Sequence, residues 1–476
     1  MNQQAQTLAV KRAQVEFHNF ASFGEPERVK RFYEEENVRR GAVLRNHLEF
    51  IGQLTPFLEI GANAGHTSYM LANDFAADGF ATDLSADSLR HGIVLMDEWN
   101  MEKAPVRLAA DALHLPVPDN SLRCVLACQM LSQFMDIEAV FIEAKRVLAP
   151  GGHFIFLEEP LRRILTLGLY RAPYWDSMKP WERVLHKWGL LGFLSRDVIG
   201  AAQEENFGIR QNHRMELRDW HALIEKHFPE HEKEIFVAER GWGETVVRKL
   251  ARRIDKHGSD WVGARLLGGT IAAMCRKPGH AEVKTDVPFE QRLRCPDCMA
   301  AMSLDEAQTL CCTACAYKAP NEGGVYNVLR SVDKKELYPG DRADVIDFTQ
   351  GSQESKLGAG WYELEGVFGN KYRWIQGTAE ATLVNVRGGA QKLRIRGHAH
   401  EKLFSQNSAP KVTITVNGAA AGQLRLERVG LFIFEADVPE AAEYKIRIEA
   451  EPIWQNPPDE RWFSLNLSML RLDPRG

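Results

Sequence analysis

Phe57-Leu58-Glu59-Ile60-Gly61-Ala62-Asn63-Ala64-Gly65-His66 reads as a buried strand ending near an acidic residue, a glycine loop and the opening of a helix. Glycine at 61 and 65 lets the backbone turn sharply and approach a ligand with no Cβ in the way. The amides at the start of the following helix then face that ligand. The pattern is that of a nucleotide cradle. A glycine-rich strand-to-helix turn is often simple punctuation when it stands alone, so the assignment depends on the residues downstream.

Downstream lies a series of carboxylates in register. Gly79-Phe80-Ala81-Thr82-Asp83-Leu84-Ser85 is a second apolar run whose acid falls about twenty residues after the loop, the offset at which a carboxylate at a strand tip accepts from ribose hydroxyls. Val106 to Ala112 is a third strand with Asp111 near its end, and a fourth runs from Cys124 to Cys128. Each acid alone could be a helix cap, but three in register argue for a ligand site. Cys124 and Cys128 read as small buried apolar side chains.

These stretches, LEIGANAG, ATDLSADSL, AADALHLPVPDNSLRCVLACQML and EAKRVLAPGGHFIFLEE, cover residues 58 to 159 and resemble the class I S-adenosylmethionine-dependent methyltransferases, type 11-like, in order and spacing. The resemblance implies a Rossmann-like α/β domain over residues 1–278 with a mostly parallel seven-stranded sheet. It also implies S-adenosylmethionine as cofactor, with Glu59, Gly61, Asn63 and Gly65 at its methionine end. Asp83 with Leu84 would hold the ribose, Asp111 with Ala112 the adenine, and Gln129 would complete the cofactor contacts. Asn63 stands where many members have a middle glycine, and Arg123 where an aspartate is common. The helical pattern from Pro26 to Leu48 precedes the cradle; in the resembled family such helices cover the cofactor, which would put Tyr33 or Arg40 within reach, and a helix simply docked on the sheet with Tyr33 packed is equally open.

A chain of 476 residues suggests about three domains at ~150 residues each. A net charge of −5 gives no overall pull toward nucleic acid or anionic membrane. Met1 to Val10 carries no apolar core of signal-peptide length, and no run approaches the ~20 apolar residues of a membrane helix, so a cytoplasmic location is expected.

After Pro150-Gly151-Gly152 a fifth strand leads to Glu158-Glu159-Pro160, and the next strands are expected at Glu234 to Ala238 and Thr270 to Met274. The insertion between, residues 160–231, carries Tyr170, Tyr174, Trp175, Trp181, His186, Trp188, Glu204, Glu205, His213 and Trp220, a composition suited to a lid over a small-molecule pocket. A sulfonium is an activated methyl donor, so alignment does most of the catalysis and a base is needed only for a protonated acceptor. Glu159 and His213 are the candidates for that base, against a cap and a structural histidine.

Lys277-Pro278-Gly279 closes the domain. Cys295-Pro-Asp-Cys298 and Cys312-Thr-Ala-Cys315 then form two C-x-x-C pairs that can meet at one tetrahedral zinc, with Cys311 competing for the third position. The module spans residues 288–331, is expected to have almost no core of its own, and looks like the zinc-ribbon activator subunits of RNA and protein methyltransferases. From about Trp361 the texture becomes short alternating runs separated by turns such as Asn417-Gly418, which reads as an all-β sandwich over residues 345–476. It looks like the carbohydrate-binding sandwiches of bacterial glycan enzymes, with Trp361, Tyr362, Trp374 and Trp454 as stacking candidates; a glycan contact and a homodimer contact are both open. The expected function is methyl transfer to a small-molecule acceptor, such as a sugar or glycan-linked metabolite. The competing readings are an RNA or protein methyltransferase with a fused activator, and a cofactor-binding protein without turnover.

Overall fold

The computed structural model describes residues 8, 10–16, 26–172, 178–198, 215–255, 260–367, 370–405, 410–427 and 429–475. The described residues form two compact units, one within residues 8–333 and the other within residues 334–475.

The first unit is built on a sheet whose central strands are β1 (Phe57–Ile60), β2 (Gly79–Asp83), β3 (Val106–Ala109), β4 (Leu122–Cys128) and β5 (Leu148–Leu161), all parallel where they pair. The short pair β6 (Tyr170–Ala172) and β7 (Ser195–Val198) lies in the insertion, and β8 (Glu230–Val237) and β9 (Gly269–Arg276) return to the sheet. β9 runs antiparallel to both β5 and β8.

The sheet is buried on both faces, which is why its strands read as nearly continuous apolar runs. Side chains alternate between two clusters. Leu58, Ile60, Val125, Ala127, Phe154 and Phe156 pack on one side with Val140, Phe141 and Ala144 of the helix Ile137–Val147. Phe57, Cys124, Leu126, Cys128, Ile155 and Leu157 pack on the other with Val43, Leu44, Met70 and Leu71. The buried free cysteines 124 and 128 act as small apolar residues.

The sheet has nine strands rather than the expected seven. Val325–Asn327, which comes after the cysteine pairs, adds to the open edge of β3 in parallel, and Asn321–Glu322 pairs antiparallel to it, giving the order β13-β14-β3-β2-β1-β4-β5-β9-β8. Here β10 (Met302–Leu304), β11 (Leu310–Cys312) and β12 (Lys318–Ala319) form the small cysteine-bearing sheet, and β13 and β14 are the two added strands. The unpaired edge of β3 explains the addition, since its free amides and carbonyls find partners there. Nor does the cysteine segment lack a core. Leu293, Met302, Leu310, Tyr317 and Tyr326 belong to the same apolar cluster as Phe154.

Trp220, grouped with the lid by sequence, is completely buried, 5.4 Å from Phe156 in ring centroids, and donates to the carbonyl of Pro160 at 3.3 Å. It lies on the amphipathic helix Leu217–His227, whose Leu217, Trp220 and Ile224 face the sheet. Tyr174, Trp175, Glu204, Glu205 and His213 lie outside the described residues.

In the second unit, β15 (Val345–Asp347), β16 (Trp361–Val367) and β17 (Asn370–Ile375) belong to a six-stranded antiparallel sheet, while β18 (Thr378–Val384) starts a four-stranded one. β19 (Gln391–Ala399), β22 (Gly430–Val438) and β26 (Asn466–Pro474) complete the first; β20 (Lys411–Val416), β21 (Ala419–Arg425) and β23 (Glu443–Glu451) complete the second. β24 (Trp454–Asn456) and β25 (Asp459–Phe463) form a hairpin. Both larger sheets feed one core, with Leu393, Ile395, Phe434 and Leu470 from one and Leu383, Ile414, Ile446 and Ile448 from the other. Trp374 and Trp454 are buried in this core, and Trp361 and Tyr362 pack against it.

Because Trp220 fills the main core, Trp220→Ala is expected to cost about 3–5 kcal/mol of stability. Urea unfolding measures this, and a loss below about 1 kcal/mol would return Trp220 to a mobile lid.

Candidate functional site

The loop after β1 turns left-handed three times in five residues. Gly61 has φ 65°, Asn63 φ 52° and Gly65 φ 77°. A Cβ on Gly61 would stand 2.5 Å from the Met130 side chain, so only glycine fits there. Asparagine at 63 tolerates the left-handed region that this turn requires. Gly65 caps the helix His66–Asp74.

This backbone aims the Asn63 amide at Asp83 Oδ2 (2.9 Å), and the Ser85 amide reaches Oδ1 (2.8 Å). Each carboxylate oxygen thus holds one amide and keeps a further lone pair for a ligand hydroxyl.

A cavity of about 130 Å³ opens at the carboxyl ends of the strands, and Glu59, Gly61, Asn63, Asp83, Leu84 and Gln129 all line it. Gly65, Asp111 and Ala112 are not among its lining residues. Asp111 is instead held by Lys11, whose Nζ lies 2.7 Å from Oδ2 and 3.6 Å from Asp333. Gln14, from the same N-terminal helical stretch, lines the cavity.

Opposite the loop, the helix Pro26–Asn46 supplies Tyr33, Glu36 and Arg40 to the lining, together with His66. Arg40 donates to Thr67 Oγ1 (2.8 Å), bonds Glu158 through Nε (2.9 Å) and pairs with Glu36 (3.1 Å). Nε2 of His66 lies 2.8 Å from both Glu36 Oε2 and Arg40 Nη1, and its ring stacks on Tyr33 at 4.0 Å. Its Nδ1 is buried with no hydrogen-bond partner among the described residues. Burial lowers the His66 pKa, favouring the neutral imidazole.

The sequence puts Tyr33 and Arg40 within reach of the cradle, and both line the cavity; Glu36 and His66 line it too, without having been singled out by sequence. The signal available was the i,i+4 pair Glu36/Arg40 on a helix already expected to cover the cradle. Of the two proposed bases, Glu159 is completely buried, does not line the cavity, and accepts from the amides of Met130 (2.7 Å), Leu131 (2.7 Å) and Ser132 (3.1 Å). His213 lies outside the described residues.

A second cluster gathers the Sγ atoms of Cys295, Cys298, Cys312 and Cys315 within 4.8 Å of one another. The amides of Ala314 and Cys315 point at Cys312 Sγ, both at 3.3 Å. Cys311 faces away, toward Asp305 at 3.6 Å. Four converging thiols with amide donors behind one of them suit a tetrahedral soft cation. Asp297, inside the first cysteine pair, accepts from the Ser331 amide at 2.9 Å, and Asp333 two residues on pairs with Lys11. The segment after the cysteines thus reaches back to Asp297 at Ser331 and to Asp111 by way of Asp333 and Lys11.

Residues 58–156 match the family described as "Methyltransferase domain". The demethylmenaquinone methyltransferase of Symbiobacterium thermophilum is 28% identical over 144 residues, 28% of this chain and 56% of that protein. The malonyl-[acyl-carrier protein] O-methyltransferase of Geobacter sulfurreducens is 30% identical over 101 residues, 21% of this chain and 36% of that protein. Among solved structures, phosphoethanolamine N-methyltransferase 2 of Haemonchus contortus in complex with S-adenosyl-L-methionine is similar over 52% of this chain and 53% of that chain, with 15% identity and a TM-score of 0.32. The chain thus spans little more than half the length of these relatives at most.

Burial raises both Glu59 and Glu159 from the ordinary 4.5 to about 7, against the pull of their hydrogen bonds. Between pH 4.5 and 7 the folded chain therefore keeps protons that the unfolded chain has released, so stability falls as pH rises through that window. Every tenfold difference in proton affinity between the two states corresponds to about 1.4 kcal/mol. Glu159→Gln should flatten the fall, measured as urea midpoints at pH 5 and pH 7.5; profiles parallel to the wild type would contradict the assignment.

Proposed function

We propose that this chain transfers a methyl group from S-adenosylmethionine to a small-molecule acceptor, with a sugar or glycan-linked metabolite as the favoured class. The observation that carries the reading is Asp83 pinned by the Asn63 and Ser85 amides at the mouth of a left-handed glycine loop, within a domain that matches the methyltransferase family. The cofactor would supply an activated methyl group on a sulfonium. Asp83 would accept from the ribose hydroxyls, and the loop 61–65 would face the methionine portion.

The cavity is smaller than the ~300 Å³ at which small-molecule sites begin, so binding requires the N-terminal helical stretch to yield at Lys11 and expose Asp111 to the adenine. An acceptor hydroxyl needs a base. His66, backed by Glu36 and lining the cavity, takes that role beside His213, while Glu159 serves to hold the 130–132 amides. The cysteine cluster is proposed to bind one structural zinc, since all four positions are protein thiolates and none is left for water.

A second reading, an RNA or protein methyltransferase with a built-in activator, draws support from β14 joining the β3 edge. Incubation with labelled methyl donor and, separately, metabolite extract, RNA and total protein discriminates the two. Label confined to RNA or protein refutes the small-acceptor proposal.

Titration calorimetry with S-adenosylhomocysteine should show binding to the wild type and a loss of about 3 kcal/mol, roughly a hundredfold, in Asp83→Ala, since two hydroxyl bonds to a carboxylate are removed. Wild-type affinity in that variant would sink the ribose assignment. Metal analysis should find one zinc per chain, lost in Cys295→Ser/Cys312→Ser. A zinc-free wild type would remove the metal proposal.

A further inference from the structure

The second unit carries a groove lined by its own residues. Its residues follow from strand alternation. On β18, β20 and β23 the side chains of Ala379, Val412, Ile414, Ile448 and Ala450 enter the core, so Thr378, Lys411, Thr413, Glu449 and Glu451 fall on the opposite face.

Register then brings these polar residues into rows. Thr378 and Thr413 both stand across from Glu449, and Lys411 stands across from Glu451. At one end of the rows the groove is closed by Gln376, Gly377, Ile453 and Trp462, and the whole encloses about 720 Å³. That lies within the range of small-ligand sites.

Trp462 is the informative member. Of the other tryptophans of this unit, Trp374 and Trp454 are buried in the core and Trp361 packs against it, whereas Trp462 is 44% exposed and Ile453, also at the groove, is 44% exposed. An indole left in water beside a row of hydroxyl, amide and carboxylate groups presents a flat apolar platform with hydrogen-bonding partners of both kinds around it.

We infer that this groove is a binding site for a neutral saccharide. A pyranose ring has an apolar C–H face that packs on an indole and an equatorial belt of hydroxyls that both donate and accept. Thr378, Thr413 and Gln376 can do either, and Glu449 and Glu451 accept from paired hydroxyls.

Charge separates this ligand class from its rivals. The ionisable groups lining the groove are Lys411, Glu449 and Glu451; register sets Arg425 across from Lys411, and Arg447 is shared between Glu380 and Glu449, so the face carries no net positive charge. Phosphate, sulfate and nucleic-acid backbones are disfavoured there. The groove also crosses the face of the four-stranded sheet rather than following its edge strands β18 and β21, so an added peptide strand would not occupy it.

The site is different from the four aromatic residues that sequence suggested. Stacking on Trp374 or Trp454 would require opening the core, while Trp462 needs no rearrangement.

The full chain is titrated with neutral gluco-, galacto-, manno- and xylo-hexaoses, a sulfated oligosaccharide and a proline-rich peptide, by calorimetry and by tryptophan fluorescence. The expected result is millimolar or tighter binding of at least one neutral hexaose with a fluorescence change. Trp462→Ala should weaken it roughly tenfold or more. Thr413→Ala/Thr378→Ala should weaken it several-fold with the fluorescence of the free protein intact, which guards against misfolding of the tryptophan variant. S-adenosylhomocysteine affinity should be unchanged in all of these variants, so a failure of the methyl-transfer reading registers separately. The inference is overturned if no neutral hexaose binds at millimolar concentration, if Trp462→Ala binds as the wild type does, or if the sulfated oligosaccharide or the peptide binds more tightly than every neutral sugar.

Discussion

A strand that is buried on both faces can offer a ligand only its end, and at the end of β1 the chain satisfies that constraint by turning left-handed at Gly61, Asn63 and Gly65. The turn exposes amides where a helix would otherwise consume them. One of these amides fixes Asp83, a nearly buried carboxylate that would be costly at its position without such donors to hold it. The relation is mutual: the carboxylate keeps the loop in its conformation, and the loop keeps the carboxylate aimed across the strand ends. Asn63 shows how narrow the requirement is. A short polar side chain tolerates the left-handed region, and a β-branched residue there would be strained.

The wall opposite the loop is electrostatic. Glu36, Arg40 and Glu158 form a buried chain of alternating charge, extended at the surface by Arg39 and closed at the cavity by His66. Such a chain contributes little net stability, because desolvation offsets much of the attraction, yet removal of a single member leaves a buried charge unmatched. It therefore suits positioning better than stabilisation. The helix Pro26–Asn46 is held in register over the strand ends, and burial keeps the imidazole neutral against the opposing pull of Glu36.

The alternation of apolar strands, the glycine loop and the in-register acids were legible because they are local. Each depends on residues within one strand-loop-helix step; Asp83 and the two C-x-x-C pairs follow from spacing, and Glu59 from the family resemblance. Pairings between distant segments were not legible. Nothing local to Val325-Tyr326-Asn327 says that it will find the edge of β3, and nothing near Lys11 says that it will sit on Asp111. The aromatic residues misled for a related reason. Tryptophan serves equally as core or platform, and only the partners supplied by the fold separate Trp220 and Trp454, both buried, from Trp462, which faces solvent.

The proposed seat of the cofactor is the left-handed loop together with Asp83. Amide hydrogen exchange with and without saturating S-adenosylhomocysteine tests it directly, since the claim names individual amides. The account predicts slowed exchange concentrated at residues 61–66 and 83–86, with a smaller effect along 33–40. Protection that misses the loop and appears elsewhere, or no change in exchange despite saturation, would contradict it.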